Sequence, residues 1–304
     1  MESASRIQQF YILIFTFLIM KTYRPTTKSR RSMTGIDYRK FLSTRRPHKA
    51  LVSGGTRSHA RNNYGRITVR HQGGGHKRRF RIVDFIYDKR DIPARIASVE
   101  YDPDRSAFIG LAVYRDGEQR YVLLPQGVKV GGSFIVSEKA PVAPANRLPL
   151  RAIPVGTFIY NIALRPNGVS VLARSAGNYA EVVAQEGGYT RLKLSSTEIR
   201  KVIDTAWANI GAVSNEENHL VSIGKAGRSR WLGIRPTVRG SAQNPPDHPY
   251  GGGEGRQGRG IRRAKTRWGK PSGKGQKTRT PKKYSNVFIV SRRKVGSKRG
   301  TALH

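Results

Sequence analysis

The amino-acid sequence predicts a mainly β protein in which two small β units lie between long basic arms. Short runs of β-branched and aromatic residues recur through the middle of the chain, and Pro, Gly and Asp-Gly turn signals separate them, which predicts the β units. Positive charge is concentrated at both ends of the chain, which predicts the arms. No run keeps helical spacing over the about 11 residues that identify a helix.

The charge distribution points to a polyanionic partner. The 304 residues include 57 Lys and Arg against 19 Asp and Glu, a formal net charge of +38. Residues 1–79 contain 18 basic and 2 acidic residues, 80–223 contain 17 and 15, and 224–304 contain 22 and 2. An enzyme acting on small molecules has no use for this excess, and nucleic acid is the first candidate partner. The absence of Cys excludes disulfides, a thiolate nucleophile and Cys-ligated zinc.

A run of 11 residues at 10–20 is apolar except for Thr16. It is shorter than the about 20 residues of a membrane span. It also lacks the basic start and the cleavage site of a signal peptide, and it is not Arg-rich like an organellar presequence. Residues 1–19 are therefore set aside as an unassigned apolar extension, with Met20 as the interpreted true start, and no membrane partner is predicted.

The first β block is predicted at 80–140. Asp116-Gly117 is a tight-hairpin signal, so the runs on either side of it are expected to pair antiparallel. Five short strands favour a small closed barrel. The candidate strands are 80–87, 94–101, 107–114, 119–124 and 132–136.

A Pro-rich stretch beginning at Pro141 separates the first block from a second β block at 141–223. Gly187-Gly188 and Ser195-Ser196 are the expected hairpin turns, and the block is predicted to be a second small barrel or sandwich. Units of about 70 residues are only marginally stable alone, so packing on a partner would stabilise both. The candidate strands are 157–163, 169–173, 179–184, 189–194, 197–202 and 208–213.

The remaining segments are predicted to be a basic N-terminal arm at 20–79 and a basic Gly-rich tail at 224–304. The tail has 15 Gly, 6 Pro and one late β-like run at 287–290. This composition cannot bury enough apolar surface to fold alone, so we expect an extended tail that orders only on its ligand. Glycine lets the backbone approach phosphates closely, and Arg and Lys supply the charged contacts.

Catalytic and metal-binding patterns are weak. Residues 253–258 match G-x-G-x-x-G without a flanking strand or helix, so a chance match is the better interpretation, and the other common catalytic motifs are absent. His71 and His76 lack Cys or carboxylate neighbours, which favours phosphate or base contact over metal ligation. His248 beside Asp247 is either a general base or part of a Pro-rich turn, and we expect the turn. No cofactor, metal or catalytic residue is predicted.

Four basic motifs, at 61–66, 76–80, 225–231 and 262–268, alternate cations with small residues and contain an aromatic ring. This mixture suits RNA, because cations meet phosphates while a ring or guanidinium stacks on an unpaired base. The predicted RNA-binding residues are Arg61, Arg66, Arg70, His71, His76, Lys77, Arg78, Arg79, Lys225, Arg228, Arg230, Trp231, Arg235, Arg239, His248, Arg256, Arg262, Arg263, Lys265 and Arg267. The predicted close-approach glycines are Gly73, Gly74, Gly75, Gly251, Gly252 and Gly253.

Four segments are highly specific when their order and spacing are taken together: RITVRHQGGGHK at 66–77, EYDPDRSA at 100–107, LARSAG at 172–177 and NPPDHPYGGGEGR at 244–256. They resemble the uL2 (L2) family of large-subunit ribosomal proteins, of bacterial or organellar type. The resemblance extends from about residue 21 to residue 294, and residues 1–19 have no counterpart in it.

The resemblance implies an OB-fold barrel for the first β block and an SH3-like barrel for the second, with both arms threaded into large-subunit (23S-type) rRNA. It further implies a primary rRNA binder needed for association with the small ribosomal subunit and for tRNA binding near the peptidyl transferase centre. The expected location is the ribosome in the bacterial cytoplasm, with a mitochondrion or plastid as the alternative. Pro246 and Tyr250 stand where the family usually has Val and a second His, which argues against catalytic chemistry in that loop.

Three hypotheses follow. The first is a structural rRNA-binding protein, the second a free RNA chaperone or architectural nucleic-acid-binding protein, and the third an enzyme whose peptidyl transferase activity rests on His248. A chaperone would wash off large ribosomal particles in high salt, whereas an assembled component would stay bound. The first hypothesis is favoured.

Overall fold

Short antiparallel strands dominate the computed structural model, which describes residues 20–44, 46–55, 59–253, 258–273 and 279–293. The described residues within Met1–Thr56, Lys77–Lys225 and Val287–His304 form a first unit, and those within Arg57–His76 and Ala226–Asn286 form a second. The strands are β1 (Lys21–Thr22), β2 (Thr34–Gly35), β3 (Val52–Ser53), β4 (Phe80–Arg81), β5 (Ala94–Glu100), β6 (Ile109–Tyr114), β7 (Gln119–Leu123), β8 (Ser133–Phe134), β9 (Arg147–Pro149), β10 (Phe158–Tyr160), β11 (Ile162–Ala163), β12 (Ser170–Leu172), β13 (Ala180–Glu186), β14 (Tyr189–Leu194), β15 (Ile199–Ile203), β16 (Trp207–Ile210) and β17 (Ile289–Ser291).

The helices are short. The α-helices are α1 (Lys28–Arg31), α2 (Tyr38–Phe41) and α3 (Ala226–Trp231), and the 3₁₀ helices are Lys49–Leu51, Leu150–Ala152, Glu216–Leu220, Gly240–Ala242 and Tyr284–Phe288. Within the described part of the chain, no helix is long and apolar enough to cross a membrane.

The first β block contains a four-stranded sheet in the order β7-β6-β5-β8. β6 and β7 pair antiparallel with Val113 opposite Gln119, which confirms the hairpin predicted at Asp116-Gly117. Alternate side chains of β5 point inward, as a half-buried strand requires, so that Ala94 and Ile96 are buried. The core of this block includes Tyr87, Ile96, Phe108, Ala112, Tyr114, Val122, Leu124 and Phe134.

The second β block belongs to a seven-stranded sheet in the order β17-β15-β14-β13-β10-β16-β9. β13, β14 and β15 form consecutive antiparallel hairpins, which confirms the turns predicted at Gly187-Gly188 and Ser195-Ser196. The late β-like run predicted in the tail appears as β17, which pairs with β15 at the edge of this sheet. The core includes Leu148, Leu150, Ile153, Ile159, Ile162, Val182, Leu192, Val202 and Ile210.

Several predicted strands differ in extent from the observed ones, and the cause is visible for two of them. The strand predicted at 80–87 ends at Arg81, because Asp84 Oδ1 accepts hydrogen bonds from the backbone N–H groups of Ile86 (2.8 Å) and Tyr87 (2.9 Å) and turns the chain. The strand predicted at 157–163 is split into β10 and β11 at Asn161, which has a φ of 51°. Local side-chain hydrogen bonds and left-handed residues therefore override strand propensity at these two positions.

Arg147 of β9 is buried inside the first unit, with 1% of its surface exposed. Its guanidinium donates to Asn161 O (3.0 Å), Asn209 Oδ1 (2.7 Å) and Ser170 Oγ (2.9 Å). It also lies 4.7 Å from the ring centroid of Tyr87, so it links the cores of the two β blocks. Burial lowers the pKa of Arg147 to about 10, which leaves the side chain cationic at neutral pH.

The described part of the tail differs in detail from the extended segment expected from its composition. It contains α3, two 3₁₀ helices and β17, and its residues within Ala226–Asn286 belong to the same unit as Arg57–His76 of the N-terminal arm. Backbone hydrogen bonds such as those from Gly73 N–H to Gly233 O and from Arg235 N–H to His71 O join these segments, and charge composition does not predict such bonds.

Candidate nucleic-acid interface

The second unit is organised by backbone hydrogen bonds and not by an apolar core. None of its described residues with a large apolar side chain is buried, and Ile67, Trp231 and Trp268 are 59%, 60% and 71% exposed. Folded units of this size normally bury such side chains. The second unit therefore presents its apolar and aromatic groups at the surface together with its cations.

The charges of the second unit are almost all of one sign. Arg57–His76 and Ala226–Asn286 contain 20 Lys and Arg and 2 Asp and Glu. Asp247 supplies the single carboxylate among the described residues of this unit. With so few internal counter-ions, the field of this surface attracts an external polyanion.

The first unit shows the opposite arrangement, because acidic neighbours neutralise many of its cations. Arg120 contacts Asp84, Asp88 and Glu118, and hydrogen bonding to Asp88 is the main cause of the raised pKa of Arg120. The same contact lowers the pKa of Asp88. Further ion pairs join Arg151 to Glu138, Arg191 to Glu186 and Lys193 to Glu181.

The predicted close-approach loop at Gly73–Gly75 packs against the chain's own backbone. Gly73 N–H donates to Gly233 O (2.9 Å), and His76 N–H donates to Trp231 O (2.9 Å). Gly75 has a φ of 89°, and a Cβ on it would lie 2.9 Å from Gly233. Glycine is therefore required at this position by packing within the second unit.

A tight hairpin spans residues 61–67, where Arg61 and Ile67 form an antiparallel bridge. Asn62 Oδ1 accepts from the N–H groups of Tyr64 (3.1 Å) and Arg66 (2.8 Å), and Gly65 N–H donates to Asn62 O (3.0 Å). Asn at the first position and Gly at the fourth are typical of such a turn. The hairpin fixes the backbone between two exposed arginines.

His248 is part of a second turn. Its Nδ1 accepts from the backbone N–H of Tyr250 (3.1 Å), so the neutral ring carries its proton on Nε2. The two rings pack with centroids 4.6 Å apart, and the Tyr250 hydroxyl accepts from the N–H of Lys265 (2.6 Å). A Cβ on Gly251 would lie 2.2 Å from Asn244 O, so glycine is needed here for the turn to close. His248 and Tyr250 hold this loop together.

Comparison with family models shows two matches. Residues 48–137 match the model described as Ribosomal Proteins L2, RNA binding N-terminal domain, and residues 143–269 match the model described as Ribosomal Proteins L2, C-terminal domain. Together the matches span more than two thirds of the chain.

The chain belongs to the ribosomal protein L2 family. Membership confirms the expected fold, an OB-fold barrel followed by an SH3-like barrel in a mainly β chain. It also establishes a structural, RNA-binding role in the large ribosomal subunit, located in the ribosome.

Most of the predicted RNA-binding residues of this L2 family member are exposed. Arg61, Arg66, Arg70, His76, Arg235, Arg239, Arg262, Arg263, Lys265, Arg267 and Trp231 are exposed in the second unit, and Lys77, Arg79 and Lys225 are exposed in the first. His71, Arg228, Arg230 and His248 are half-buried in the second unit, and Arg78 is half-buried in the first. Arg256 lies outside the described residues. Their contacts with RNA remain a prediction.

Two first-unit arginines that the sequence analysis did not single out pack on one ring, and Arg105 also pairs with Asp102 (2.5 Å). The guanidinium carbons of Arg105 and Arg174 lie 5.2 and 4.6 Å from the ring centroid of Phe85. Ser106 Oγ accepts from the N–H of Ala176 (3.1 Å), which joins the loops that carry the two arginines. The available signal was that both arginines belong to segments that resemble the L2 family, at 100–107 and 172–177.

Metal coordination has no support in the described ranges. Among these residues no group of three or more His, Asp or Glu side chains is placed to hold an ion. His71 Nδ1 instead lies 3.0 Å from Pro236 O. The site thus consists of cations, aromatic rings and tight turns.

Proposed function

We propose that this chain is a primary rRNA-binding protein of the large subunit that supports subunit association, tRNA binding and the peptidyl transferase centre. The observation that carries the proposal is the composition of the second unit, which combines 20 basic residues with described apolar side chains that are all at least partly exposed. When a polyanion surrounds such a unit, its positive charges are neutralised and its exposed apolar side chains are buried at the same time.

RNA fits this surface better than a uniform polyanion does. Arg70 and Arg267 lie 5.8 and 5.5 Å from the ring centroid of Trp268, so cations and an exposed ring share one surface. Unpaired bases stack on such rings and on guanidinium planes, while the phosphates between the bases meet the cations. This arrangement supports binding to folded rRNA with single-stranded loops.

His248 has a positioning role in this proposal, and the chain is not an enzyme. A general base needs a free lone pair that reaches the reacting proton. In His248 the lone pair of Nδ1 already accepts the N–H of Tyr250, and Nε2 carries the proton of the neutral ring. The contacts of His248 and Tyr250 support a turn that presents the 244–253 backbone to rRNA near the peptidyl transferase centre. The proposed partners are therefore large-subunit rRNA, tRNA nearby, and the small subunit across the interface.

The bacterial cytoplasm remains our prediction for the compartment, with a mitochondrion or plastid as the alternative. The division of the chain at residues 79, 140 and 223 also remains a prediction.

The proposal is tested with large ribosomal particles. We expect the chain to co-sediment with them through washes at about 0.5–1 M salt, because contacts formed during assembly are buried and screened little. Complete release would favour the free RNA chaperone. Particles reconstituted without the chain should join small subunits poorly and bind less tRNA, and normal joining and tRNA binding would contradict the proposed supporting role.

A further inference from the structure

We propose that Tyr64 is a stacking platform for one unpaired RNA base, an inference that rests on the proposed rRNA-binding function. Tyr64 is 82% exposed at the tip of the 61–67 hairpin. Its side chain forms no hydrogen bond and no ring contact with any residue that the structure describes. The ring therefore contributes little to folding and is available to a ligand.

The hairpin holds the backbone under the ring in one conformation. Besides the bonds to Asn62 Oδ1, Asn62 N–H donates to Arg66 O (3.0 Å) and Arg61 Nη1 donates to Gly65 O (2.9 Å). Gly65 takes a φ of 74°, and no atom lies within 4 Å of the position a Cβ would occupy. A ring on a fixed backbone loses little entropy when it stacks on a partner.

Arg61 and Arg66 lie on either side of Tyr64 along the same hairpin, and both are exposed. A flat ring beside two cations matches a nucleotide, which presents a π face next to a phosphate. In an RNA duplex the bases are already stacked on one another, so the ligand is an unpaired nucleotide. A protein ligand would instead need acidic and apolar groups at this same small spacing. Weaker RNA binding by a variant without the Tyr64 ring would favour the nucleotide over a protein ligand.

Other exposed rings of the second unit differ in their surroundings. Trp268 already has Arg70 and Arg267 close to its ring. Tyr284 is 81% exposed, but it is the first residue of a 3₁₀ helix and does not lie at the tip of a hairpin. Tyr284 thus provides a matched control, an exposed tyrosine in the same unit that lies in a 3₁₀ helix and not at the tip of a β-hairpin.

The test uses the full chain with Tyr64→Ala, Tyr64→Phe and Tyr284→Ala. The ligands are an unstructured RNA of about 12 nucleotides that contains 2-aminopurine and an RNA duplex of about 12 base pairs. We expect Tyr64→Ala to weaken binding of the unstructured RNA by about 5- to 150-fold and to abolish the stacking-induced fluorescence change. Binding of the duplex should change by less than about twofold, because no charge is removed.

Tyr64→Phe keeps the ring face and should bind within about threefold of the unchanged chain. Tyr284→Ala should change the binding of neither RNA by more than about twofold. Equal losses for Tyr64→Phe and Tyr64→Ala, or no loss for Tyr64→Ala, would overturn the assignment of Tyr64. If Tyr64→Ala binds normally while the chain still co-sediments with large particles, only the stacking inference fails. If the chain leaves the particles, the proposed function fails.

Discussion

Removing the guanidinium groups of Arg262 and Arg263 measures directly how much of RNA binding is electrostatic. Both side chains are exposed in the second unit, and neither pairs with a described carboxylate. We expect Arg262→Ala combined with Arg263→Ala to remove two phosphate contacts. Each contact contributes about 0.7–0.9 to the slope of log affinity against log salt, so the slope should fall by about 1.4–1.8.

The same numbers give the loss of affinity. Relative to 1 M salt, a contact with this slope contributes about 1 kcal/mol or slightly less at about 0.15 M, so the double variant should bind about 15- to 30-fold more weakly there. The assay is a titration of an rRNA fragment at several salt concentrations.

The matched control removes two cations whose charge is already neutralised. Arg151 pairs with Glu138 (2.9 Å) and Arg191 with Glu186 (2.7 Å), both in the first unit. Arg151→Ala with Arg191→Ala changes the net charge by the same amount but should alter the slope by less than about 0.5. Equal slopes for the two double variants would show that total charge, and not the second unit, determines binding, and would refute the reasoning.

Three further predictions concern folding and the turn at His248. In the chain without RNA, amide exchange should be slow for the strands within 80–223 and fast for 224–286, because the described part of the latter has no apolar core; uniformly slow exchange would contradict this. Arg147→Met should lower the free energy of unfolding by about 3 kcal/mol in urea titrations, since three buried acceptors lose their donor, whereas Arg151→Met should cost under about 1 kcal/mol. His248→Ala should impair assembly or subunit joining, yet single-turnover peptide transfer by fully assembled particles should stay within about tenfold; a loss beyond about a hundredfold with normal tRNA binding would indicate a general base.

The sequence predicts the β units well because their signals are local. The hairpin at Asp116-Gly117 and the turn at Gly187-Gly188 are set by two residues each, and alternation sets the buried faces of strands such as β5. Strand ends are predicted less well, since the sequence at Asp84 and Asn161 allows either a strand or a local turn, and the choice between them depends on the folded chain.

The candidate site shows the same division between local and distant information. Composition and basic motifs identify the cationic segments, but they cannot predict that Gly75 packs on Gly233, because these residues are far apart in the chain. The packing of three arginines, Arg147, Arg105 and Arg174, is not predicted for a related reason. Each is one arginine among many, and its environment is created by residues from other strands and loops.

The pairing of β17 with β15 closes residues 226–286 into a loop of 61 residues anchored at both ends in the first unit. Closing a flexible loop of that length costs about 4 kcal/mol in chain entropy. The register of this edge contains two residue pairs, whose few hydrogen bonds contribute about 1 kcal/mol each. The pairing of β17 with β15 is therefore stable when the residues between the two strands are already ordered, and it is lost when they are not.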